Sequence, residues 1–142
     1  MSGRLFSLKG KVALIAGGSG GIGRAIALAF AEVGADLVVS SRNKRPPDLE
    51  KVAEEIQAKG GKALAIPAPV GKKEDGQNLV QKTLKEFGRI DILVNNAGVN
   101  PVLSTLLDLE EEAFEKGIEV NLKGAFFMSE AVAKERIKQL FV

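Results

Sequence analysis

The sequence predicts a single α/β domain with a doubly wound parallel sheet, truncated after about four strands and a long helix. Four short apolar runs alternate with amphipathic stretches of helical spacing, which is typical of strands joined by crossover helices. A glycine-rich turn follows the first run and leads directly into the first helix. The chain of 142 residues is long enough for one domain, so we treat residues 1–142 as a single unit.

The first strand and helix lie on either side of the glycine turn. Val12–Ala16 is fully apolar, as expected of a strand buried on both faces of a parallel sheet. Apolar residues at helical spacing predict the helix, which Gly34 should end. This predicted buried stripe consists of Ile22, Ala25, Ile26, Ala29, Phe30 and Val33.

The next two units repeat the alternation. Residues 36–40 predict strand two, Ala63–Pro67 strand three and residues 90–94 strand four. The prolines at 46–47 fit the start of the second helix. The apolar stripes are Leu49, Val52, Ala53 and Ile56 in the second helix, and Leu79, Val80, Thr83, Leu84 and Phe87 in the third.

The last predicted element is one long, interrupted helix that begins near Glu110. Asp108 is a candidate cap for its first turn. Its apolar stripe consists of Ala113, Phe114, Ile118, Leu122, Phe126, Ala131 and Val132. We expect the first βαβ unit at the centre of the sheet.

Composition narrows the classes of function. The chain has no cysteine and no histidine, so we predict no metal site and no catalysis by thiolate or imidazole. Residues 1–47 hold seven Lys and Arg against two Asp and Glu, whereas residues 48–142 hold thirteen against sixteen. This basic excess surrounds the glycine turn and favours a phosphate-bearing small molecule over a nucleic acid. Without a signal peptide or a run of ~20 apolar residues, we expect a cytoplasmic protein that does not span a membrane.

The glycine turn, residues 17–23 (GGSGGIG), fits two nucleotide-binding registers. Strand–turn–helix order brings backbone N–H groups and the helix dipole to a pyrophosphate. The glycine spacing alone does not choose between the registers. They are GxGxxG through Gly18, Gly20 and Gly23, and GxxxGxG through Gly17, Gly21 and Gly23.

The residues after strand two bear on which dinucleotide would bind. The GxGxxG register expects a carboxylate about twenty positions on, bonded to the ribose 2′-hydroxyl. Here Ser41 and Arg42 stand instead. An arginine beside hydroxyls suits a 2′-phosphate, so the sequence favours NADP over NAD. The alternative is that Arg42 is an ordinary solvated residue.

The segment 95–98 (NNAG), directly after strand four, resembles the short-chain dehydrogenase/reductase family. The GxxxGxG register is also that family's. LKGKV at 8–12, GRIDILV at 88–94 and EVNLK at 119–123 resemble further family segments in the same order. The resemblance implies a Rossmann-type sheet, of which this chain would hold the N-terminal, cofactor-binding part.

The resemblance implies a dinucleotide site with residues from two segments. Around the phosphates and the adenosine ribose it places Gly17, Ser19, Gly21, Ile22 and Gly23. Along the adenosine and ribose side of the cleft it places Asn95, Ala97 and Gly98. Asn121 matches the family's helix-borne active-site Asn, which helps hold a water and the catalytic Lys. The alternative is that these Asn side chains cap and cross-link turns, as we expect of Asn96.

Three positions depart from the family pattern. Ala16 stands where the family usually has Thr, so a hydrogen bond inside the turn is lost. Pro69 stands where it usually has an Asp that contacts the adenine amino group. Gly20 stands where NADP-preferring members often have a basic residue, so Arg42 alone must select NADP.

The family uses a Tyr, a Lys and a Ser beyond this region to transfer hydride between nicotinamide and a carbonyl or alcohol. This chain has no tyrosine, so the resemblance implies cofactor binding without turnover, and an unknown substrate only for a longer chain. Strand four would have one bare edge. We therefore expect a homo-oligomer through that edge or through the helix from Glu110, unless the tail covers the edge. The tail candidates are Ile137, Leu140, Phe141 and Val142.

Three interpretations stay open. The chain is a truncated family member that binds NADP, the ordered part of a longer active oxidoreductase, or a non-enzymatic interaction module with a vestigial nucleotide site. The departures at Ala16 and Pro69 fit the third.

Overall fold

A computed structural model describes residues 6–42 and 46–141 of the chain. They form a four-stranded, all-parallel sheet of order β3-β2-β1-β4, which confirms the predicted fold class and the central place of the first βαβ unit. The strands are β1 (Val12–Ala16), β2 (Asp36–Ser41), β3 (Ala63–Pro67) and β4 (Ile92–Asn95). The helices are α1 (Gly21–Glu32), α2 (Pro46–Ala58), α3 (Lys73–Phe87), α4 (Glu111–Gly117), a π-helical segment (Ile118–Gly124) and α5 (Ala125–Leu140).

The core lies on both faces of the sheet. Successive side chains of a strand point to opposite faces, and β1 is buried along its whole length. Leu14 packs in the cluster beneath α3 and α5. Ala13 and Ile15 pack in the cluster beneath α1 and α2. The sheet is therefore covered on both sides, as the doubly wound prediction requires.

The buried face of α1 differs from the predicted stripe. The residues that were expected to be buried but are exposed are Ile22, Ala25 and Ala29. The helix instead buries Gly23, Ala27 and Ala31. Small side chains let this helix lie close to the sheet directly after the turn. The positions in the tightest contact are therefore occupied by small residues rather than by large hydrophobic ones.

The stripes of α2 and α3 are confirmed. All four predicted residues of α2 are buried, as are Leu79, Val80 and Thr83 of α3, and Leu84 and Phe87 pack against the same core. Strand β4 begins two residues later than predicted, at Ile92. The preceding residue, Asp91, bonds Val12 twice: its N–H donates to the Val12 carbonyl at 2.8 Å, and its carboxylate accepts the N–H of Val12 at 2.9 Å.

The predicted long, interrupted helix is confirmed, because α4, the π-helical segment and α5 follow one another directly. The predicted cap is wrong: Glu110 is the N-cap, and Asp108 accepts the Thr105 hydroxyl at 2.6 Å. Part of the predicted stripe is also wrong, because Phe114, Leu122 and Phe126 are exposed. A π-helical turn holds more residues than an α-helical turn, so it shifts the phase of the side chains that follow residue 117, which include Leu122 and Phe126 but not Phe114. From this segment onward, the buried face consists of Val120, Gly124, Met128, Ala131 and Val132.

Strand β4 lies at an edge of the sheet. It pairs with β1 on one side, and no strand among the described residues pairs with its other side. The tail does not cover this edge, because Ile137, Leu140 and Phe141 are 55%, 79% and 84% exposed, and Val142 lies outside the described residues. Within the described ranges, no helix is both long and apolar enough to cross a membrane.

Candidate functional site

The glycine turn is fixed to the neighbouring strand. The N–H groups of Gly17 and Gly18 donate to the Ser40 carbonyl at 2.7 and 2.9 Å. Gly17 and Gly21 have φ values of 84° and 50°, in the left-handed region that favours glycine. These two amides are bonded to β2, whereas the first turn of α1, which has no acidic side chain, presents N–H groups to an anion.

The turn also packs backbone to backbone against the NNAG segment. A Cβ atom on Gly23 would lie 2.0 Å from the Gly17 carbonyl oxygen, and one on Gly17 would lie 2.8 Å from the Ala97 nitrogen. The Asn96 side chain donates to the Gly17 carbonyl at 2.9 Å. Asn96 therefore cross-links the turn and the segment, as expected. A side chain at either glycine would force the turn and the segment apart.

A cavity of about 390 Å³ opens where all four strands end. It lies where the chain, having crossed from β1 to β2 and β3, returns to the other side of β1 as β4. In open α/β sheets such a reversal is the usual place for a ligand. The predicted residues that line the cavity are Gly17, Ser19, Ser41, Arg42, Ala97 and Gly98.

Four other predicted residues do not line this cavity. Gly21, Ile22 and Gly23 form the first turn of α1, and the Ile22 side chain is 72% exposed. Asn95 donates instead to the Ser129 hydroxyl of α5 at 3.0 Å. Contact between these residues and a dinucleotide stays a prediction.

The polar side chains at the end of β2 join the glycine turn. The Ser19 hydroxyl donates to the Ser41 hydroxyl at 3.1 Å, linking the turn to β2. Arg42 follows Ser41, is exposed and lines the cavity. A guanidinium at this place could form a bidentate pair of hydrogen bonds with a phosphate.

A second wall of the cavity was not foreseen from the sequence. It comes from the segment after β3, with Ala68, Pro69, Val70 and Gly71, and from the long helix, with Lys116, Glu119 and Val120. The only sign of this wall in the sequence was the pair of opposite charges at Lys116 and Glu119, three residues apart on one helix. Sequence alone did not show that this helix crosses the end of β3.

Asn121 lies in the π-helical segment and binds the loop after β4. Its Oδ1 atom accepts the N–H of Val99 at 2.7 Å, and its Nδ2 atom donates to the Val99 carbonyl at 2.9 Å. It also lines a second cavity of about 320 Å³, together with Asn100, Pro101 and Val102. The side chain thus cross-links helix and loop, and its predicted active-site role stays a proposal.

The displaced pKa values belong to ion pairs outside both cavities. Burial raises the pKa of Asp91, but the hydrogen bonds from Arg89 and the Val12 N–H outweigh it, with the charges of Arg89 and Lys11, and the pKa is lowered. The same partnership raises the pKa of Arg89. Hydrogen bonds from lysines lower the pKa of Glu130 in the long helix. Across residues 6–42 and 46–141, no three acidic side chains cluster in a way that could hold a metal ion.

Comparison with known proteins gives consistent matches. The family model described as short chain dehydrogenase matches residues 11–140. The L-rhamnose 1-dehydrogenase (NAD(P)(+)) of Sphingomonas sp. (strain SKA58) is 38% identical over 132 residues, which is 93% of this chain and 51% of that protein. The chain thus spans about half the length of the curated relatives it matches.

Solved structures agree over the same part. A short-chain type dehydrogenase/reductase from Mycobacterium marinum superposes with a TM-score of 0.89 at 39% identity, covering 98% of this chain and 56% of that one. An NAD⁺-bound xylitol dehydrogenase gives a TM-score of 0.88 at 32% identity, covering 94% of this chain and 51% of that one.

Proposed function

We propose, since the chain belongs to the short-chain dehydrogenase family of oxidoreductases, that these 142 residues form a nicotinamide dinucleotide site that prefers NADP. The observation that carries the proposal is the shared cavity. One space is lined by the glycine turn, by Arg42 at the end of β2 and by Ala97 and Gly98 of the NNAG segment. The names of the rhamnose and xylitol dehydrogenases, which mention NAD(P)⁺ and NAD⁺, support this class of cofactor.

The residues fit such a group. The missing side chains at Gly17 and Gly23 let the backbone close tightly, which leaves the first turn of α1 to meet a pyrophosphate with N–H groups and dipole. Arg42 would hold a 2′-phosphate, and Ser19 and Ser41 would bond the ribose. When bound, the dinucleotide supplies a hydride donor or acceptor at its nicotinamide ring. The other predicted contacts, Gly21, Ile22 and Asn95, belong to the same proposal.

We further propose that the chain by itself binds without turnover. It has no tyrosine and no histidine. The side-chain amide of Asn121 is not an acid with a pKa suited to proton transfer. In a longer chain, Asn121 would face a carbonyl or alcohol substrate beside residues 100–102. Location in the cytoplasm is a proposal of the same kind.

The NADP preference can be tested by replacing Arg42 with alanine. Loss of one charge-assisted contact should weaken NADPH binding by about 10- to 100-fold and leave NADH binding within about twofold. Lys51→Ala removes the same charge from an exposed position on α2 and is the matched control. Equal losses for both dinucleotides would show that Arg42 does not read the 2′-phosphate. If the folded wild-type chain binds neither, the proposed function is wrong.

A second candidate function is an interaction module. It is favoured by the edge of β4, with which no strand of the described residues pairs, and by the exposed Phe114, Leu122 and Phe126 on the long helix, since bare edges and apolar patches promote association. The homo-oligomer proposed through this edge or helix would show in light scattering as a mass that rises above 15.0 kDa with concentration. A constant monomeric mass would refute it.

A further inference from the structure

The second wall of the cavity carries a carboxylate in a defined position. Glu119 lies in the π-helical segment and faces Gly71, which follows β3: a Cβ atom on Gly71 would lie 2.7 Å from Glu119 Oε1 and 3.0 Å from its Cγ. The carboxylate therefore occupies space that only a glycine at 71 leaves open. The close approach continues along the helix, because a Cβ atom on Gly124 would lie 2.9 Å from the Val70 carbonyl oxygen.

One oxygen of this carboxylate is held and the other remains available. Lys116 Nζ bonds Glu119 Oε1 at 3.0 Å, and no donor in the described part of the chain bonds Oε2. The side chain is 34% exposed and lines the cavity. An ionised carboxylate only accepts hydrogen bonds. A ligand that reaches this wall should therefore present an N–H or O–H group to Glu119.

The neighbouring side chains indicate what kind of group this is. Val70 and Val120 are each only 7% exposed and line the cavity with Pro69. Apolar surfaces of this kind suit the flat face of an aromatic ring, while a polar group at the rim reads its edge. The combination of an apolar slot and an acceptor fits a heteroaromatic base with an exocyclic amino group.

An ordinary surface ion pair is the competing explanation, because Lys and Glu three residues apart on a helix often pair. Such a pair contributes little and has no preferred ligand. Its side chains would normally extend into solvent, whereas Glu119 lies against the backbone of Gly71. The two explanations differ in one property, which is discrimination between bases.

We infer that Glu119 is a specificity-determining residue that accepts a hydrogen bond from the amino group of the adenine base, with Lys116 and Gly71 as positioning residues. This inference rests on the proposed dinucleotide site. The carboxylate would take the role of acceptor that Pro69, which has no side-chain acceptor, cannot fill. A base with a carbonyl oxygen in place of the amino group would instead meet the carboxylate as a second acceptor.

The test compares NADPH with its hypoxanthine analogue, in which a carbonyl oxygen replaces the adenine amino group. Calorimetric titration of the wild-type chain should show the adenine form binding about tenfold more tightly. Glu119→Gln should reduce this ratio to about twofold or less, because an amide can accept from the amino group or donate to the carbonyl. The readout is the ratio of the two affinities, so a general weakening of binding does not mimic the result.

Two further variants distinguish position from charge. Gly71→Ala keeps every charge but should displace the carboxylate, which lies 2.7 Å from the added Cβ atom, and should lower the ratio as Glu119→Gln does. Glu112→Gln removes the same charge from an exposed position of α4 and should leave the ratio at the wild-type value. An unchanged ratio in both Glu119→Gln and Gly71→Ala, while NADPH still binds, overturns this inference alone. Failure of the folded wild-type chain to bind either dinucleotide overturns it together with the proposed function.

Discussion

Replacing Gly23 with alanine tests how the glycine turn is built. The new Cβ atom would lie 2.0 Å from the Gly17 carbonyl oxygen, where ordinary contact begins at 3.4 Å, so the turn would have to open by about 1.4 Å. It would also lie 2.7 Å from Asn96 Nδ2, the donor to the same carbonyl. Both contacts involve atoms that hold the turn against the NNAG segment.

The expected cost follows from these contacts. Overpacking costs about 1–3 kcal/mol, and loss of the Asn96 hydrogen bond costs about 1 kcal/mol more. The helix propensity of alanine offsets about 1 kcal/mol. We therefore expect the free energy of unfolding to fall by about 1–3 kcal/mol, or the Tm by about 3–10 °C, and NADPH binding to weaken by more than about tenfold, because the first turn of α1 moves.

Urea denaturation and calorimetric titration measure the two effects of Gly23→Ala. Gly117→Ala is the control, because its added Cβ atom has nothing within 4 Å and lies outside the turn; it should unfold at the same or higher urea concentration. If Gly23→Ala is as stable as the wild-type chain and binds NADPH equally well, the turn does not depend on this close packing and the reasoning fails.

Three other changes probe the framework. Asp91→Asn should lower the free energy of unfolding by about 1–3 kcal/mol at pH 7. Because the pKa of Asp91 is lowered in the folded chain, this loss should shrink as the pH falls from about 5 through that pKa. An equal loss at pH 7 and pH 3, measured by urea denaturation, would contradict the prediction. Asn121→Ala removes two bonds to Val99 and should cost about 1–2 kcal/mol while speeding proteolysis of residues 99–109; unchanged cleavage would show that the loop is held elsewhere. Met128→Ala empties a fully buried site and should cost about 2–5 kcal/mol, so a loss below about 1 kcal/mol in chemical denaturation would mean that the site refills.

The elements predicted well are those whose burial follows a simple period. β1 and β3 begin and end at the predicted residues, and the α2 stripe is buried throughout, since strands and helices with one apolar face leave a regular pattern. The stripe predicted for α1 was partly wrong, because this helix buries the small residues Gly23, Ala27 and Ala31, which a pattern of large hydrophobic side chains does not single out. In the long helix the predicted stripe fails at Phe114, which is exposed, and again after residue 117, where the π-helical turn changes the period.

The candidate site also has parts that the sequence predicted and parts that it did not. Its local parts could be predicted, because the glycine turn, Arg42 and the NNAG segment each follow directly after a strand, and strands of a parallel sheet end at one side. Asn95 and Asn96 could not be told apart by adjacency, and only Asn96 lines the cavity. The wall with Glu119 depends on how the long helix crosses the end of β3. That crossing is set by close contacts at Gly71 and Gly124, which leave no pattern in the surrounding sequence.

The most direct test of the central claim is an NMR titration of the ¹⁵N-labelled chain with NADPH, following backbone amide resonances. We expect saturable shifts concentrated in residues 19–23, at Arg42 and at residues 97–98, with smaller changes at the amino ends of the strands. Shifts that are largest in this set would establish that the turn, the end of β2 and the NNAG segment form one dinucleotide site. No shifts from a well-folded sample, or shifts confined to β4 and the exposed face of the long helix, would contradict the claim and favour the interaction module.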